Sequence, residues 1–147
     1  MRRWAAMTCS MLLAGCGSGP SKVDVTGTWE ATVTYKTCTT QNLDSRPCGN
    51  LEGRRVLTLT QAGSDVSGLV PSLAVLHGRL DGVNLTLDGS ETDFIGGTTT
   101  QRWRLRVSGD RITGTLSETF VSPIGLPDTH SQGTRASTGD VVGVRQR

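Results

Sequence analysis

Alternation of apolar and polar residues with a period of two runs through most of the chain after residue 26. In the segment Gly27-Thr28-Trp29-Glu30-Ala31-Thr32-Val33-Thr34-Tyr35, one face carries Trp29, Ala31, Val33 and Tyr35, and the other face is polar. Successive side chains of a β-strand point to opposite faces, so this pattern predicts a half-buried strand. Because Gly27 has no Cβ, the chain can approach closely where it enters the strand. Trp29 can then close one end of the volume that the sheet encloses.

Similar patterns predict seven further strands, separated by turns and loops that contain glycine. The predicted strands cover residues 54–61, 66–70, 77–80, 83–87, 98–107, 111–120 and 141–145. Asp81-Gly82 is a dipeptide that favours a two-residue hairpin turn, and the polar residues 88–97 are predicted to form a loop. Helical periodicity of useful length is absent, so the sequence predicts an all-β protein.

Eight strands with short connections favour an eight-stranded antiparallel up-and-down barrel. The sequence contains 19 glycines in 147 residues, against a usual share of about 7%, and this fits a chain with many tight turns and bends. A closed barrel of eight strands has no free edges, and its interior holds either packed side chains or one small ligand. An open two-layer β-sandwich is the alternative, because strand number alone does not separate the two folds.

A shift of the chain by 46 residues aligns two segments without a gap. Leu57 then matches Trp103, Leu59 matches Leu105, Gly63 matches Gly109, Val66 matches Ile112, and Gly68 matches Gly114. The pattern indicates two hairpins of one design, which duplication or convergence on similar turns explains about equally well. Gly68 and Gly114 lie inside predicted strands, where a missing side chain permits the bending that a small barrel needs.

The first 15 residues have the pattern of a secretory signal. Met1-Arg2-Arg3 is positively charged, and residues 4–13 are mostly apolar but too few to span a bilayer as a helix. Leu13-Ala14-Gly15-Cys16 resembles the lipobox of bacterial lipoproteins, which implies cleavage before Cys16 and acylation of its thiol. Cleavage near Ala14 or Gly15 by an ordinary signal peptidase is the alternative.

The predicted domain organisation follows from this signal. Residues 1–15 are the signal peptide, residues 16–23 are a flexible tether, and residues 24–147 are the barrel domain. The lipoprotein resemblance implies attachment to the cell envelope through the lipid on Cys16. Residue 17 is glycine rather than aspartate, and in this family that implies the outer membrane.

Signal removal also changes the charge. It lowers the Lys+Arg count from 15 to 13, which equals the 13 Asp+Glu, so the mature chain is near neutrality. Nucleic-acid-binding domains usually show a strong basic excess, and a nucleic-acid partner is therefore not expected.

Two cysteines remain in the predicted barrel domain. Cys38 and Cys48 flank residues 39–47, and in an exported protein they are predicted to form a disulfide. Two free thiols are the alternative. A metal site is not predicted, because two sulfurs with neither histidine nearby do not complete a four-ligand shell.

The first strand also carries a short motif that supports a family assignment. Gly27-Thr28-Trp29 followed by seven further strands and a C-terminal arginine resembles the lipocalin, or broader calycin, group. In that group a glycine-x-tryptophan motif closes the barrel floor and a late arginine packs over the indole. The resemblance implies a barrel floor made of Gly27, Trp29 and Arg145.

Catalytic chemistry finds little support in the sequence. His77 and His130 have no acidic or cysteine companion at a metal-binding spacing, and no serine lies in a nucleophile-elbow context. We therefore expect no enzymatic activity, no metal and no cofactor.

Two strands carry charged residues that need an explanation. On one predicted strand the apolar residues Trp103, Leu105 and Val107 alternate with Arg102, Arg104 and Arg106. We expect the three arginines to form a solvated stripe on the outer face, and the alternative is that this stripe binds a partner or an anionic membrane. Glu118 continues an alternation assigned to the interior. If it points inward, its carboxylate must be hydrated, paired or used to hold a ligand, and the alternative is that it lies past a bulge and faces water.

The sequence leads to two hypotheses for function. The first is a lipid-anchored envelope binding module that accepts a small apolar ligand in the barrel, with Tyr35, Leu57, Leu59, Trp103, Leu105 and Glu118 as ligand-binding residues. The second is a structural or protein-interaction lipoprotein with a packed barrel, no ligand and an envelope protein as partner.

Overall fold

The protein is an all-β closed barrel of eight antiparallel strands. The computed structural model describes residues 23–43, 52–71, 74–94, 96–123 and 133–147. The strands are β1 (Gly27–Gln41), β2 (Glu52–Ala62), β3 (Asp65–Val70), β4 (Ala74–Asp81), β5 (Asn84–Thr92), β6 (Thr98–Ser108), β7 (Arg111–Ser122) and β8 (Gly133–Arg145). Each strand pairs with the next in sequence, and β8 pairs with β1. The predicted barrel is therefore confirmed over the sandwich, and the architecture is compatible with a lipocalin-like fold.

Strand β1 closes the barrel because it pairs on both sides. Its residues from Gly27 to Thr34 pair with β2. Its residues from Trp29 to Gln41 pair with β8, and the register of this second ladder shifts between Tyr35 and Thr37. The longer of the two ladders is thus formed with the last strand. Closure of this kind leaves no strand edge exposed along the paired part of the sheet.

Three two-residue turns define what we call the lower end of the barrel. They are Gly63-Ser64, Gly82-Val83 and Gly109-Asp110, and each begins with a glycine at a φ of 66°, 59° or 58°. A glycine with positive φ at the first central position is the signature of a type II′ hairpin turn. The connections between β1 and β2, β3 and β4, β5 and β6, and β7 and β8 are longer and lie at the opposite, upper end.

Two predictions about the middle of the chain are wrong. Asp81 ends β4 and pairs with Asn84, so the turn is Gly82-Val83 and not Asp81-Gly82. Residues 88–92 belong to β5 and pair with β6, whereas they were predicted to lie in a loop. Polar outward contacts support this part of the ladder, because Arg102 binds Asp88 at 2.5 Å and the Thr92 and Thr98 hydroxyls are 3.1 Å apart.

The last strand is also longer than predicted. It begins at Gly133 and not at residue 141. Its inward positions in the added part include Gly133, Ser137 and Gly139, all of them buried. These residues are small or polar, so the sequence shows no apolar alternation here, although the positions lie inside the barrel.

The core fills the barrel between the lower end and the middle of the strands. Both tryptophans, Trp29 and Trp103, have no exposed surface. The remaining buried apolar residues are Val25, Ala31, Val33, Leu57, Leu59, Val66, Val70, Leu76, Leu80, Leu85, Leu87, Leu105, Val107, Ile112, Leu116 and Val141. Full burial of one leucine-sized side chain contributes about 1.5–3 kcal/mol, so this interior is the main source of stability.

The residues before β1 belong to the packed body. Val25 is fully buried, and Val23, which the sequence analysis assigned to the tether, packs against the core. The backbone N–H of Val25 donates to Oε1 of Gln61 at 2.9 Å. The segment from Val23 to Thr26 therefore closes the lower end, and packing begins at least one residue earlier than predicted.

The hairpins β2–β3 and β6–β7 share one register. Leu59 pairs with Gly68 in the first hairpin, and Leu105 pairs with Gly114 in the second. A Cβ on Gly68 would lie 2.9 Å from Cδ2 of Leu59. The 46-residue shift thus relates residues that occupy equivalent places in two hairpins.

Candidate functional site

The lower end contains the three residues that the lipocalin resemblance implies as a barrel floor. Arg145 lies with its guanidinium carbon 4.7 Å from the centroid of the Trp29 ring, and the Trp29 indole N–H donates to the carbonyl of Val25 at 2.9 Å. Gly27 has a φ of 132°, and a Cβ there would lie 3.9 Å from the Arg145 stem. The structure therefore brings Gly27, Trp29 and Arg145 together.

Arg145 also ties the floor to its surroundings. One of its terminal nitrogens donates to the carbonyl of Asp24, and its Nε lies 3.6 Å from a carboxylate oxygen of Asp110 in the β6–β7 turn. The floor is thus a cation stacked on an indole and linked to two neighbouring segments. Such a contact stabilises the fold, and it leaves no open face on Trp29, which is fully buried.

Four of the predicted ligand-binding residues lie in the packed core. Leu57 and Trp103 have no exposed surface, Leu59 has 1% and Leu105 has 4%. These side chains are covered by protein atoms. An apolar guest beside them would have to displace part of the core.

The other two predicted ligand-binding residues, Tyr35 and Glu118, lie higher in the barrel. Together with Arg55, Gln101 and Arg135 they form what we call the upper polar cluster. Glu118 points inward and its side chain is 8% exposed, so the inward placement is correct and the placement past a bulge, facing water, is wrong. The interior therefore changes from apolar to polar above Trp103.

A chain of hydrogen bonds links the core to this cluster. The indole N–H of Trp103 donates to Oε1 of Gln101 at 3.2 Å, and Nε2 of Gln101 donates to Oε2 of Glu118 at 3.0 Å. The other carboxylate oxygen, Oε1, lies 3.7 Å from Nη2 of Arg135. The buried charge of Glu118 is thus compensated on both oxygens, as a carboxylate in a low-dielectric interior requires.

Strand pairing fixes these side chains. Gln101 on β6 is opposite Glu118 on β7, and Glu118 is opposite Ser137 on β8. Arg135 lies two residues before Ser137 on the same face, and its guanidinium carbon lies 5.7 Å from the centroid of the Phe120 ring. Adjacent strands therefore supply an amide, a carboxylate and a guanidinium at neighbouring levels.

Tyr35 and Arg55 form the other half of the cluster. Nη2 of Arg55 donates to the Tyr35 hydroxyl at 3.0 Å, and Nη1 donates to the carbonyl of Arg54 at 3.1 Å. Burial raises the pKa of the Tyr35 phenol, and the nearby negative charge of Glu118 raises it further, whereas the charges of Arg55 and Arg135 act in the opposite direction. The phenol thus lies within the field of all three charged members of the cluster.

Sequence reasoning missed three members of this cluster. Arg55 alternates with Leu57 and Leu59 on an inward face, and that alternation was a usable signal that a cation enters the barrel. Gln101 lies two residues before Trp103 and therefore on the same face, so the alternation could also have placed its amide inside the barrel. Arg135 had no signal, because its part of β8 was not predicted to be a strand.

The arginines of β6 lie outside the barrel, as the alternation predicted. Arg102, Arg104 and Arg106 are exposed, whereas Trp103, Leu105 and Val107 are buried. Arg102 forms an ion pair with Asp88 on the neighbouring strand, which raises the pKa of its guanidinium through a hydrogen bond and through the opposite charge. Such exposed pairs contribute little to stability.

Other predictions fall outside the described residues. Cys16 and the signal peptide lie before residue 23, and Cys48 lies in the part of the β1–β2 connection that the structure does not describe. Cys38 is in β1. Acylation of Cys16 and the disulfide between Cys38 and Cys48 therefore stay predictions.

The described part of the chain has no group of three or more His, Cys, Asp or Glu side chains that could hold a metal ion. The described part of the chain also contains no helix that is long and apolar enough to cross a membrane. No protein-family model, curated protein or solved structure matches the chain.

Proposed function

We propose that the protein is a lipid-anchored, non-enzymatic component of the cell envelope that uses its packed barrel as a rigid scaffold for interactions at the upper end. The observation that supports this most directly is the burial of the interior. Leu57, Leu59, Trp103 and Leu105, the predicted apolar ligand contacts, have between 0% and 4% of their surface exposed. The packed-barrel hypothesis explains this burial without an additional molecule.

The positions of the two ends support an anchored orientation. The proposed anchor, Cys16, precedes the first described residue, Val23, by seven residues, and seven extended residues reach at most about 25 Å. Val23 lies at the lower end, so the tether leaves the barrel on the side of the short turns. The longer connections at the upper end are then directed away from the membrane surface.

One upper connection carries a side chain suited to contact a protein partner. Phe94, between β5 and β6, is 99% exposed, and two hydrogen bonds join Asp93 and Gly97 on either side of it. The Asp93 and Gly97 main chains bond at 2.8 Å, and Oδ1 of Asp93 accepts from the N–H of Gly97 at 2.7 Å. An exposed aromatic side chain in a hydrogen-bonded connection is suited to serve as an interface anchor.

The proposed disulfide would fix a second upper connection. Cys38 lies near the upper end of β1, and a bond to Cys48 would close the loop of residues 39–47. Closure of a loop of this size is worth on the order of 2–3 kcal/mol. Mass spectrometry after alkylation, with and without reduction, is expected to show both thiols protected until reduction.

Ligand binding inside the barrel separates the two hypotheses. Fluorescence of Trp29 and Trp103 is measured during titration with a fatty acid or a hydrophobic dye, and the packed barrel is expected to show no saturable quenching. Leu116→Ala titrated with benzene is a positive control, since it removes a fully buried side chain and leaves a cavity that holds an apolar guest of about that size. Saturable one-to-one binding by the natural protein would instead support the binding module.

Contact through the upper end is tested by site-specific photocrosslinking in whole cells. A crosslinking residue at position 94 is expected to capture an envelope protein, whereas one at Ser64, in a lower-end turn, is not. Equal capture at both positions would contradict the proposed orientation. When the crosslinking residue is placed elsewhere on the upper end, Phe94→Ala is expected to reduce the yield of the crosslinked envelope protein.

A further inference from the structure

The outer surface near the lower end of β6, β7 and β8 combines arginines with exposed apolar side chains. Arg106 on β6 is directly opposite Thr113 on β7, and Thr113 is opposite Val142 on β8. Nearer the lower end, Arg111 on β7 is opposite Val144 on β8. We call this surface the β6–β8 face, and its outward residues are Arg104, Arg106, Arg111, Thr113, Thr115, Val142 and Val144.

The three arginines of the β6–β8 face lie close together, and none of them forms an ion pair with a described residue. Arg104 and Arg106 are two residues apart on β6, about 7 Å. Arg111 is the diagonal neighbour of Arg106 on β7, about 7–8 Å away. On the β5 side, the residues opposite Arg104 and Arg106 are Thr86 and Asn84. The adjacent strands therefore place no carboxylate directly opposite Arg104 or Arg106.

The carboxylates that border this face on β8 and in the β6–β7 turn are engaged by other cations. Asp110 lies 3.6 Å from Arg145 and 3.7 Å from Arg147. Asp140 on β8 lies 3.2 Å from Lys36. Although the predicted mature chain is near neutrality, the β6–β8 face thus has a local excess of positive charge.

Two valines give the same face an apolar part. Val142 is 48% exposed and Val144 is 45% exposed, and they follow one another on the outer side of β8. Apolar side chains beside cations are the composition that favours a membrane surface, because the apolar groups enter the boundary between headgroups and acyl chains while the cations attract anionic headgroups. The charge and the exposed valines therefore indicate the same kind of partner.

The predicted tether joins the barrel beside this face. Arg145 directly follows Val144, and one of its terminal nitrogens donates to the carbonyl of Asp24. Val23 is seven residues from the proposed anchor, Cys16, which allows a separation of at most about 25 Å. A bilayer that holds the lipid on Cys16 therefore lies within reach of the β6–β8 face. Because the tether keeps the local concentration high, even a weak attraction between face and bilayer becomes effective.

We propose that the β6–β8 face lies against the surface of an anionic phospholipid bilayer, with its arginines at the phosphate groups and its valines at the boundary with the acyl chains. The barrel then leans onto the lower half of these three strands, and its upper end stays directed away from the bilayer at a slant. The inference rests on the lipid anchor of the proposed function and adds the side of the barrel that faces the membrane. Each basic residue near an anionic surface strengthens attraction roughly fivefold, so three arginines account for about a hundredfold.

The test is fluorescence quenching of the acylated protein reconstituted into vesicles that contain a brominated phosphatidylcholine. The vesicles are made of phosphatidylcholine alone or with phosphatidylglycerol. Val142→Trp places an indole on the face, and Ser67→Trp places one at an exposed residue of β3, on the opposite wall and also near the lower end. The natural Trp29 and Trp103 are fully buried, so added quenching reports contact of the new indole with lipid. With phosphatidylglycerol present, quenching at position 142 is expected to be at least threefold stronger than at position 67.

Charge variants separate the face from general electrostatic attraction. One combined variant replaces the three arginines of the face with glutamine and is expected to lower the phosphatidylglycerol-dependent quenching at position 142 at least fivefold. The matched control is expected to leave this quenching within twofold. It removes three exposed positive charges elsewhere on the barrel through Lys36→Gln, Arg54→Gln and Arg79→Gln. Circular dichroism checks each fold, and Thr113→Trp replaces Val142→Trp if that variant does not fold.

Three results would overturn the inference. They are equal quenching at positions 142 and 67, no quenching at position 142 with vesicles that contain phosphatidylglycerol, and quenching that the combined variant leaves unchanged. Flotation with vesicles of phosphatidylcholine alone reports the anchor separately. A protein that does not float with these neutral vesicles contradicts the anchor, and the quenching with anionic vesicles still decides whether the face binds them.

Discussion

Arg55 and Arg145 are both inward-facing arginines, yet their surroundings give them different roles. Arg145 stacks on Trp29, donates to the Asp24 carbonyl and lies near the Asp110 carboxylate. Arg55 has a phenol and a carbonyl as partners, and no carboxylate among the described residues. Arg145 therefore has a carboxylate within ion-pair distance, whereas Arg55 is hydrogen-bonded to neutral groups, and Nε of both arginines is buried without a hydrogen-bond partner among the described residues.

Arg145→Ala is expected to lower the free energy of unfolding by about 1–2 kcal/mol. The expected loss combines a partly desolvated cation–π contact with the packing of the arginine stem against the floor. Urea unfolding followed by tryptophan fluorescence measures it. Arg104→Ala, an exposed outer residue, is the matched control and is expected to change stability by less than about 0.5 kcal/mol. Equal effects would show that the floor contact does not contribute.

Tyr35 offers a direct reading of the upper polar cluster, because it is the only tyrosine in the sequence. Its pKa is raised above the ordinary value by burial and by the charge of Glu118. Phenolate absorbance is therefore expected to appear at higher pH in the folded protein than in urea. Since the raised pKa belongs to the folded state, this contribution to stability is present below the unfolded pKa and is lost as pH rises through the folded pKa.

Two variants test the cause of this shift. Glu118→Gln is expected to lower the folded pKa of Tyr35, because it removes the second contribution to the shift, and Arg104→Gln is expected to leave it unchanged. A Tyr35 titration that is identical in folded and urea-unfolded protein would contradict the described environment. A titration unaffected by Glu118→Gln would show that burial alone shifts the phenol.

Strand prediction succeeded where inward side chains are large and failed where they are small. The alternation around Trp29, Leu57, Trp103 and Leu116 identified β1, β2, β6 and β7. The upper half of β8 presents Gly133, Ser137 and Gly139 to the interior, so burial there leaves no apolar pattern.

The predicted position of the β4–β5 turn was wrong by one residue. Asp81-Gly82 favours a turn with glycine in second place, whereas the chain places Gly82 first, with a φ of 59°. The upper polar cluster was only partly predictable for a related reason, since its members come from five strands and meet only when the barrel closes.

Glycines in the β4–β5 hairpin have two distinct functions that substitution can separate. A Cβ on Gly78 would overlap the backbone carbonyl of Thr86 on the neighbouring strand, whereas a Cβ on Gly82 would meet nothing within 4 Å but requires a φ of 59°. Gly78→Ala is therefore expected to cost about 3 kcal/mol through backbone displacement, and Gly82→Ala about 1–2 kcal/mol through strain in the turn. Urea unfolding measures both.

Gly82→Asn provides the control for this comparison. Asparagine tolerates positive φ better than alanine, so this variant is expected to be more stable than Gly82→Ala. No such rescue is expected at Gly78, where the obstacle is steric. If Gly78→Ala proved as stable as the natural protein, the close approach of β4 and β5 at this residue would be wrong.

At the scale of the whole molecule, the two ends of the barrel are built differently. The lower end combines three two-residue turns, the segment from Val23 to Thr26, in which Val25 is fully buried, and Arg145 stacked on Trp29. The upper end combines longer connections, an exposed aromatic residue and the polar cluster. This asymmetry is consistent with the proposal of a body that is closed toward the predicted tether and makes its contacts on the opposite side.

The proposed anchor is the property of the whole molecule that a single substitution tests most directly. Cys16→Ser is expected to abolish incorporation of labelled palmitate and the acyl mass on the protein, while Cys9→Ser, inside the predicted signal, is expected to leave both intact. Because the described body begins at Val23, seven positions after Cys16, a soluble form that begins at residue 17 is expected to unfold at the same urea concentration as the acylated form. Retained acylation in Cys16→Ser would contradict the lipoprotein assignment, and a lowered unfolding midpoint would show that the residues before Val23 take part in the fold.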